Sequence, residues 1–231
     1  MWVATASVYM IDLFLNSAST TAGIAAKGGF SVCRFNAGTY ENWQPDSALF
    51  TAADHPASVW LDIRSLNVRS IMQKRLELCR AKGFVAVVPD GLDAYSNANG
   101  MGLTAADQIS YNTFLANAAH SLGLSVGLMN DLNQIGDLLP SFDFFVNEEC
   151  MKYSECNLYK PARLANMPVW QVEYGTSNKG TTFFQTVCKC QSTWGVKSIY
   201  KYTSLNTFRL ECDPKYLAMA CPYSARRLLS H

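Results

Sequence analysis

The sequence predicts an α/β fold of the TIM type, a single closed (β/α)8 barrel that spans residues 1–231. Three observations favour this fold class. Short apolar runs, each the length of a strand, alternate with helical patterns along the whole chain. Eight such repeats give each strand–helix unit about 29 residues, which suits a barrel of this kind. No Ser/Gly-rich linker and no shift in composition divides the chain.

The eight predicted strands are apolar runs that end at turn residues, as strands buried on both faces of a sheet require. They cover residues 7–12, 30–36, 58–63, 84–88, 125–129, 142–147, 169–173 and 198–202. The run at 84–88 is the clearest, because it breaks at Pro89 and leads into an acidic turn. An open, doubly wound sheet is the alternative, although the glycine-rich phosphate-binding turn that often follows its first strand is missing.

Helical patterns fill most of the connections between these strands. They cover residues 19–27, 68–82, 105–122, 132–139, 151–159 and 181–194. Thr104 opens the third pattern with Asp107 three residues later, which is the spacing of a capping box and predicts where that helix begins. The connection at 39–56 is irregular and rich in Pro, Asp and aromatic residues.

Composition narrows the range of partners. The chain is 49% apolar and 16% charged with a net charge of +1, and its Lys and Arg residues form no cluster. We therefore expect no nucleic-acid partner. No stretch approaches the roughly 18 apolar residues of a membrane helix, so we expect no membrane partner. The first fifteen residues lack a basic start and contain Asp12, so they read as a strand, and a secretory leader is expected to lie outside this sequence.

The eight cysteines favour disulfides over a zinc site. Zinc sites use paired short spacings such as C-x2-C, which the chain lacks, and Cys188 and Cys190 are too close to chelate as a pair. Disulfides indicate an oxidising compartment, so we expect the protein to be secreted. Cys150 and Cys156 are the best-supported pair, and the other pairings stay open. For Cys33 and Cys79, in apolar patterns, buried free thiols are the alternative.

Polar residues gather where the predicted strands end. In a TIM-type fold these positions converge on the rim where active sites are built. The residues are Asp12, Asn36, Asp62, Asp90, Asn130, Asp131, Asn147, Glu148, Glu173, Tyr174 and Lys201. Any one of them could instead cap the next helix, and Asp62 and Asp131 are the best cases for capping. Likewise, Asp90 and Asp93 could simply stabilise the turn after their strand.

The residue types at these strand ends favour sugar chemistry. Trp43, Trp60, Tyr95 and Tyr174 lie nearby in sequence, and aromatic faces stack on sugar rings. The only histidines, at 55, 120 and 231, lie away from strand ends, so we expect neither a metal site nor Ser/Cys–His catalysis.

Paired carboxylates need no histidine, because one protonates the leaving oxygen while the other attacks the sugar or activates water. Asp90 and Glu148 are the candidate pair.

The chain resembles glycoside hydrolase family 114, the endo-α-1,4-polygalactosaminidase family, over about three quarters of its length, from residue 8 to residue 174. The resemblance rests on ordered blocks rather than on one motif. They are Ile-Asp-Leu-Phe (11–14), Phe-Asn-Ala-Gly-Thr-Tyr-Glu-Asn-Trp-Gln-Pro-Asp (35–46), Trp-Leu-Asp-Ile-Arg (60–64), Pro-Asp-Gly-Leu-Asp-Ala-Tyr (89–95), Leu-Thr-Ala-Ala-Asp-Gln (103–108), Val-Asn-Glu-Glu-Cys (146–150), Tyr-Ser-Glu-Cys (153–156) and Val-Glu-Tyr (172–174).

This resemblance implies a (β/α)8 barrel that hydrolyses α-1,4-linked galactosamine polymers. It places the family's nucleophile on Asp90 and its acid/base on Glu148. Substrate contacts are then expected from Asp12, Asn36, Trp43, Asp62, Asp93, Tyr95, Asn130, Asn147, Glu173 and Tyr174. We expect a secreted monomer that uses no cofactor and no metal, with a polysaccharide as its partner.

Departures from the family pattern remove several charged residues. The family tends to have acids where Met10, Val85 and Val87 stand, Asn where Gly91 stands, and Lys where Met129 stands.

Met10 and Met129 could be a coupled exchange that removes an interior ion pair, with independent drift as the alternative. The site is then expected to lose a cation able to steady Asp90 or to hold a substrate hydroxyl, which would weaken activity or shift the substrate. Two functional alternatives follow: a sugar-binding barrel that has lost catalysis, or a hydrolase of another α-linked amino sugar or of a neutral galactan.

Overall fold

The computed structural model describes residues 8–57, 59–176, 180–212 and 221, with only the backbone described at Gly180, Thr181 and Ser192. The chain divides into two compact units, residues 1–143 and 144–231. The single domain expected over 1–231 stays a prediction.

In the first unit four parallel strands follow one another in chain order. They are β1 (Val8–Asp12), β2 (Phe30–Asn36), β3 (Ala86–Asp90) and β4 (Ser125–Met129). The helices between and after them are α1 (Ala18–Ala25), α2 (Leu66–Ala81), α3 (Ala105–Ser121) and α4 (Ile135–Leu138). The β2–β3 register places Asn36 beside Asp90, so the polar ends of these two strands lie side by side.

The buried faces of these elements explain why they form where they do. Ser65 is the N-cap of helix α2, and its hydroxyl accepts hydrogen bonds from the N–H groups of Asn67 and Val68. It buries an apolar stripe against the sheet, consisting of Val68, Ile71, Met72, Leu76 and Cys79. The capping box predicted for Thr104 and Asp107 is confirmed at the start of α3. The core of the strands is apolar as expected, with Val32, Phe35, Val87 and Val88 at most 3% exposed.

The strand predicted at 58–63 is wrong. Among the described residues of that stretch, only Trp60 forms a β-bridge, an isolated antiparallel one with Thr39. The connection is held instead by the buried carboxylate of Asp54. Its oxygens accept hydrogen bonds from the Thr51 N–H and hydroxyl, the Ser65 hydroxyl and the Asn67 amide. A loop whose polar groups are satisfied by one buried carboxylate does not need a sheet neighbour.

The second unit contains three parallel strands in chain order and one antiparallel strand. The strands are β5 (Phe144–Glu148), β6 (Val169–Gly175), β7 (Lys197–Tyr202) and the antiparallel β8 (Arg209–Glu211). The helices are α5 (Lys160–Leu164), α6 (Gly180–Phe183) and α7 (Lys189–Trp194), with a π-helical turn at Phe184–Cys188 between the last two. Strand β8 was not predicted, and its antiparallel pairing departs from the expected eighth parallel strand.

The helix predicted at 151–159 is also wrong. Turns occupy its first half, and only a short 3-10 helix forms at Cys156–Tyr159. Glu149 and Ser154 both have left-handed backbones, with φ of 64° and 62°. A disulfide between Cys150 and Cys156 closes this segment into a tight loop, which an α-helix could not accommodate.

All eight cysteines are paired within their own units. The predicted pair Cys150–Cys156 is confirmed. The free-thiol alternative for Cys33 and Cys79 is wrong, because these residues link β2 to α2. The other two bridges are Cys188–Cys212 and Cys190–Cys221. No helix in the described part of the chain has the length and apolar character needed to cross a membrane.

Candidate active site

Asp90 ends β3 with its carboxylate held on both sides. The guanidinium Nη2 of Arg34, on the neighbouring strand, donates to Oδ2, and the Gly91 N–H donates to Oδ1 at 2.8 Å. Its main-chain carbonyl accepts from the Ala37 N–H at 2.8 Å. The side chain is 21% exposed. The carboxylate of Asp90 is therefore held in place beside a cation, and solvent still reaches it.

Arg34 was missed by the sequence analysis. It supplies a cation beside Asp90, and the loss of a second cation at position 129 stays a prediction. The signal was a charged residue in the middle of an otherwise apolar strand, between Cys33 and Phe35. Met129 is 1% exposed and Met10 is partly exposed, and their coupled exchange stays a hypothesis.

Two glycines allow the turn after Asp90 to pack closely against the turn after β2. Gly91 has φ of +75°, a conformation that costs glycine little. A Cβ built on Gly38 would lie 1.8 Å from the carbonyl oxygen of Gly91. Only glycine at position 38 leaves room for this contact.

Asn36, the neighbour of Asp90 across the sheet, organises the turn after its own strand. Its Oδ1 accepts from the N–H groups of Gly38 at 3.1 Å and Thr39 at 2.9 Å. Its carbonyl oxygen accepts from Arg75, which is 2% exposed and makes a two-point ion pair with Asp46 at 2.8 Å. Arg75 thus anchors the end of β2 through the main chain of Asn36. The substrate contact expected of the Asn36 side chain stays a prediction.

Asp12 and Asp62 are engaged locally. Oδ1 of Asp12 accepts from the N–H groups of Phe14 at 2.7 Å and Leu15 at 2.8 Å. Asp62 forms a two-point ion pair with Arg64 at 2.8 and 3.0 Å, and that guanidinium lowers the pKa of Asp62. These contacts are those of turn-stabilising carboxylates, and their predicted role in substrate binding stays a prediction.

We call residues 90–95, which begin at the last residue of β3, the acidic loop. Burial raises the pKa of Asp93, and the nearby charge of Asp90 adds to this effect. A hydrogen bond from Asn97 acts in the opposite direction and lowers the pKa. Burial also raises the pKa of Tyr95, and the charges of Asp131 and Asp93 add to the effect. The loop therefore gathers acids in a partly desolvated place.

Asp131 directly precedes the 3-10 turn Leu132–Gln134, and its side chain is linked to the acidic loop through Asn112. Its side chain makes no capping hydrogen bond, so the capping alternative is wrong for Asp131. The side chain is 3% exposed, and Oδ2 accepts from the Asn112 amide at 3.0 Å. Burial, followed by the charge of Asp93, raises the pKa of Asp131 to about 7. Its neighbour Asn130 is partly exposed at the same turn.

Trp43 presents an exposed aromatic face in the connection that follows β2. Its side chain is 72% exposed, which is unusual for an indole. Nearby in sequence, the rings of Tyr40 and His55 stack with centroids 4.1 Å apart. An exposed indole on a structured loop can stack on a sugar ring, and this role for Trp43 stays a prediction.

In the second unit, Glu148 ends β5 and Tyr174 lies on the neighbouring β6. The Tyr174 hydroxyl donates to Oε1 of Glu148 at 2.7 Å. Asn147 is fully buried, and its Oδ1 accepts from the Cys150 N–H at 2.7 Å. The Cys150–Cys156 disulfide then closes the loop. The turn after Glu148 is thus held by an amide and a covalent bridge.

Glu173 lies beneath the same turn. It is 7% exposed, and its Oε1 accepts from the Met151 N–H at 2.9 Å and from the Gln171 amide. Burial raises the pKa of Glu173 to about 7. These contacts position the loop after Glu148, whereas contact of Glu173 with substrate stays a prediction. Across the described residues of both units, no group of three or more His, Cys, Asp or Glu side chains is arranged to hold a metal ion.

Comparisons with known proteins identify the family and the fold class. The family model described as glycoside-hydrolase family GH114 matches residues 2–216. No curated protein matches the sequence significantly. Among solved structures, Ega3 of Aspergillus fumigatus, in complex with galactosamine, is 36% identical with a TM-score of 0.86. The alignment covers 90% of this chain and 88% of Ega3.

A second structure supports the fold alone. The glycoside hydrolase domain of PelA from Pseudomonas aeruginosa is 11% identical with a TM-score of 0.67, covering 89% of this chain and 91% of that domain. The predicted fold class, α/β of the TIM type, is confirmed. The family match covers most of the chain, and the chain belongs to glycoside hydrolase family GH114.

Proposed function

We propose that this protein hydrolyses a galactosamine-containing polysaccharide at α-1,4 linkages, with Asp90 as nucleophile and Glu148 as acid/base. The observation that carries the proposal is the state of Asp90: a carboxylate fixed by Arg34 and by the Gly91 N–H, yet 21% exposed at the end of a parallel strand. The 36% identity to Ega3, which was crystallised with galactosamine, supports the choice of sugar.

Asp90 has the properties that a nucleophile needs. Attack on the anomeric carbon requires an ionised carboxylate in a fixed orientation. The Arg34 guanidinium forms an ion pair with the carboxylate, and the backbone donor limits its rotation. The remaining exposure leaves a path for the sugar to approach.

Glu148 has a neighbour that can orient it. A general acid must present its proton to the glycosidic oxygen and later take a proton from water. The Tyr174 hydroxyl donates to Oε1 of Glu148, and this contact can orient the carboxyl group. Asn147 and the Cys150–Cys156 bridge fix the turn that follows.

The charge of the strand ends suits a polymer that bears amines. Asp90 and Asp93 are the acids of the acidic loop. In the same unit, Asp12 ends β1 and Asp62 lies in the connection between β2 and β3. Protonated amino sugars are attracted to a surface lined by carboxylates. This charge favours a deacetylated galactosamine polymer over a neutral galactan.

The experiment is incubation with deacetylated and acetylated galactosamine polymers, followed by mass spectrometry of the released oligosaccharides. We expect release from the polymer that carries free amines. Asp90→Asn and Glu148→Gln should each reduce release by about 10³-fold or more, because each removes a group that acts in the transition state. Asp137→Asn, the same change at an exposed position, is the matched control and should match the wild type.

Circular dichroism of each variant shows whether it is folded. Binding of the polymer without any release by the wild type would contradict the proposal and identify a sugar-binding protein instead. Full activity of either carboxylate variant would reject its assigned role.

A further inference from the structure

Asp131 is a buried carboxyl group to which the proposed chemistry gives no role. It directly follows β4 with a left-handed backbone, φ +47°, and is 3% exposed. Its side chain does not cap the 3-10 turn Leu132–Gln134 that begins at this point. A non-glycine residue keeps this backbone conformation only where its surroundings determine it.

The two carboxyl oxygens of Asp131 are in different situations. Oδ2 accepts a hydrogen bond from the Asn112 amide at 3.0 Å. Oδ1 is also buried, but no described residue donates to it. An ionised carboxylate in such a place needs donors or a cation at both oxygens. A neutral acid leaves only an uncharged hydroxyl at Oδ1, which costs less to bury without a partner than a charge does, so this geometry favours a protonated Asp131.

The groups around Asp131 favour the same charge state. The negative charge of Asp93, on the acidic loop, opposes ionisation of Asp131. Tyr95 is the other titratable neighbour. Helix α3 faces it with the neutral amide of Asn112. None of the ion pairs among the described residues includes Asp131.

Hydrogen bonds connect Asp131 to the acidic loop through Asn112. The Asn112 amide donates to Oδ2 of Asp131 and to the main-chain oxygen of Leu92, each at 3.0 Å. Its oxygen accepts from Gln108 at 2.9 Å, and Gln108 in turn accepts from the Tyr95 N–H at 3.4 Å. The main chain of the acidic loop is thus held on both sides of Asp93.

We propose that Asp131 is a positioning residue, a neutral carboxylic acid that fixes Asn112 and, through it, the acidic loop that begins at Asp90. When neutral, Asp131 accepts from Asn112 and adds no charge beneath the acids of the loop. When it ionises, it repels Asp93 and leaves a buried charge without a partner, so the loop moves. Its catalytic consequence rests on the proposed function, whereas its charge state does not.

The first measurement is a pH titration of the Asp131 carboxyl carbon by NMR in the full chain, assigned by its loss in Asp131→Asn. We expect a midpoint near 7, and we expect the Asn112 side-chain amide and Leu92 to Tyr95 main-chain amides to shift with the same midpoint. A midpoint near the ordinary value of about 4 would overturn the proposal. So would a titration that the loop amides do not follow.

The second measurement is the ratio of kcat at about pH 5.5 to kcat at about pH 8.5, across the expected midpoint. Asp131→Asn keeps an oxygen for Asn112 at every pH, so its ratio should be at least about threefold smaller than that of the wild type. Asp137→Asn, on the exposed side of α4, should keep the wild-type ratio.

Equal ratios in the wild type and Asp131→Asn would overturn the positioning role. If the wild type hydrolyses none of the polymers, the proposed function fails, and the NMR titration still decides the charge state of Asp131 and its link to the loop.

Discussion

Asp90 is fixed by contacts from separate parts of the chain. Arg34 comes from the middle of β2, Gly91 from the acidic loop, and Ala37 from the turn after β2. Position after an apolar strand makes Asp90 and Glu148 candidates in the sequence. It was not enough to select Arg34, because the contact depends on strand register, which the sequence alone does not give.

The buried acids show the same limit. Asp131 lies just after β4 and Glu173 lies near the end of β6, as the predicted site residues do, but each is less than 10% exposed. Asp62 has the same sequence signature and instead pairs with Arg64 near the surface. Residue type and strand position therefore predict where acids gather, whereas burial and partners decide what each acid does.

Replacing Arg34 tests whether the cation beside Asp90 matters. Arg34→Met should lower kcat by about 10- to 100-fold while changing KM less, because the cation orients the attacking group rather than holding the polymer. Arg34→Lys keeps the charge but not the planar fork, so it should restore part of the loss. Steady-state kinetics on the galactosamine polymer measure both. A wild-type kcat in Arg34→Met would refute this role.

At the scale of elements, the alternation of strands and helices was largely predictable. The predicted bounds of β2 and β4 coincide with those observed, and α3 begins at its predicted capping box. The failures have physical causes. The stretch 58–63 carries apolar residues but its loop is organised by Asp54, and a disulfide prevents a helix at 151–159. Strand β8 is three residues long, too short for a periodic signal.

The contact between the turns after β2 and β3 can be tested at Gly38. Gly38→Ala places a methyl group against the Gly91 carbonyl, so the turn has to shift, and we expect a loss of about 1–3 kcal/mol or more in the free energy of unfolding. Activity should fall as well, since Asp90 precedes Gly91. Gly23→Ala is the matched control.

Gly23 lies in α1 with no atom within 4 Å of an added Cβ, so alanine there should stabilise the protein by about 0.5–1 kcal/mol. Urea unfolding measures both changes. Equal stabilities for the two variants would mean that the turns do not need the close approach.

At the scale of the whole molecule, family and fold class were predictable because many ordered sequence blocks pointed to them. The match over residues 2–216 extends beyond the blocks at 8–174 that suggested it. The disulfide pairings were not predictable beyond Cys150–Cys156, because partners such as Cys33 and Cys79 are 46 residues apart and meet only in the fold. Paired cysteines throughout are typical of proteins from an oxidising compartment, which agrees with the expected secretion.

Trapping the glycosyl-enzyme intermediate tests the paired-carboxylate account most directly. An aryl glycoside of an α-1,4-galactosamine oligomer, with a good leaving group, needs little acid assistance, so Glu148→Gln should form the intermediate and hydrolyse it slowly. Peptide mass spectrometry should then find the sugar on Asp90. A sugar on any other residue, or a product released with inverted anomeric configuration, would contradict the account.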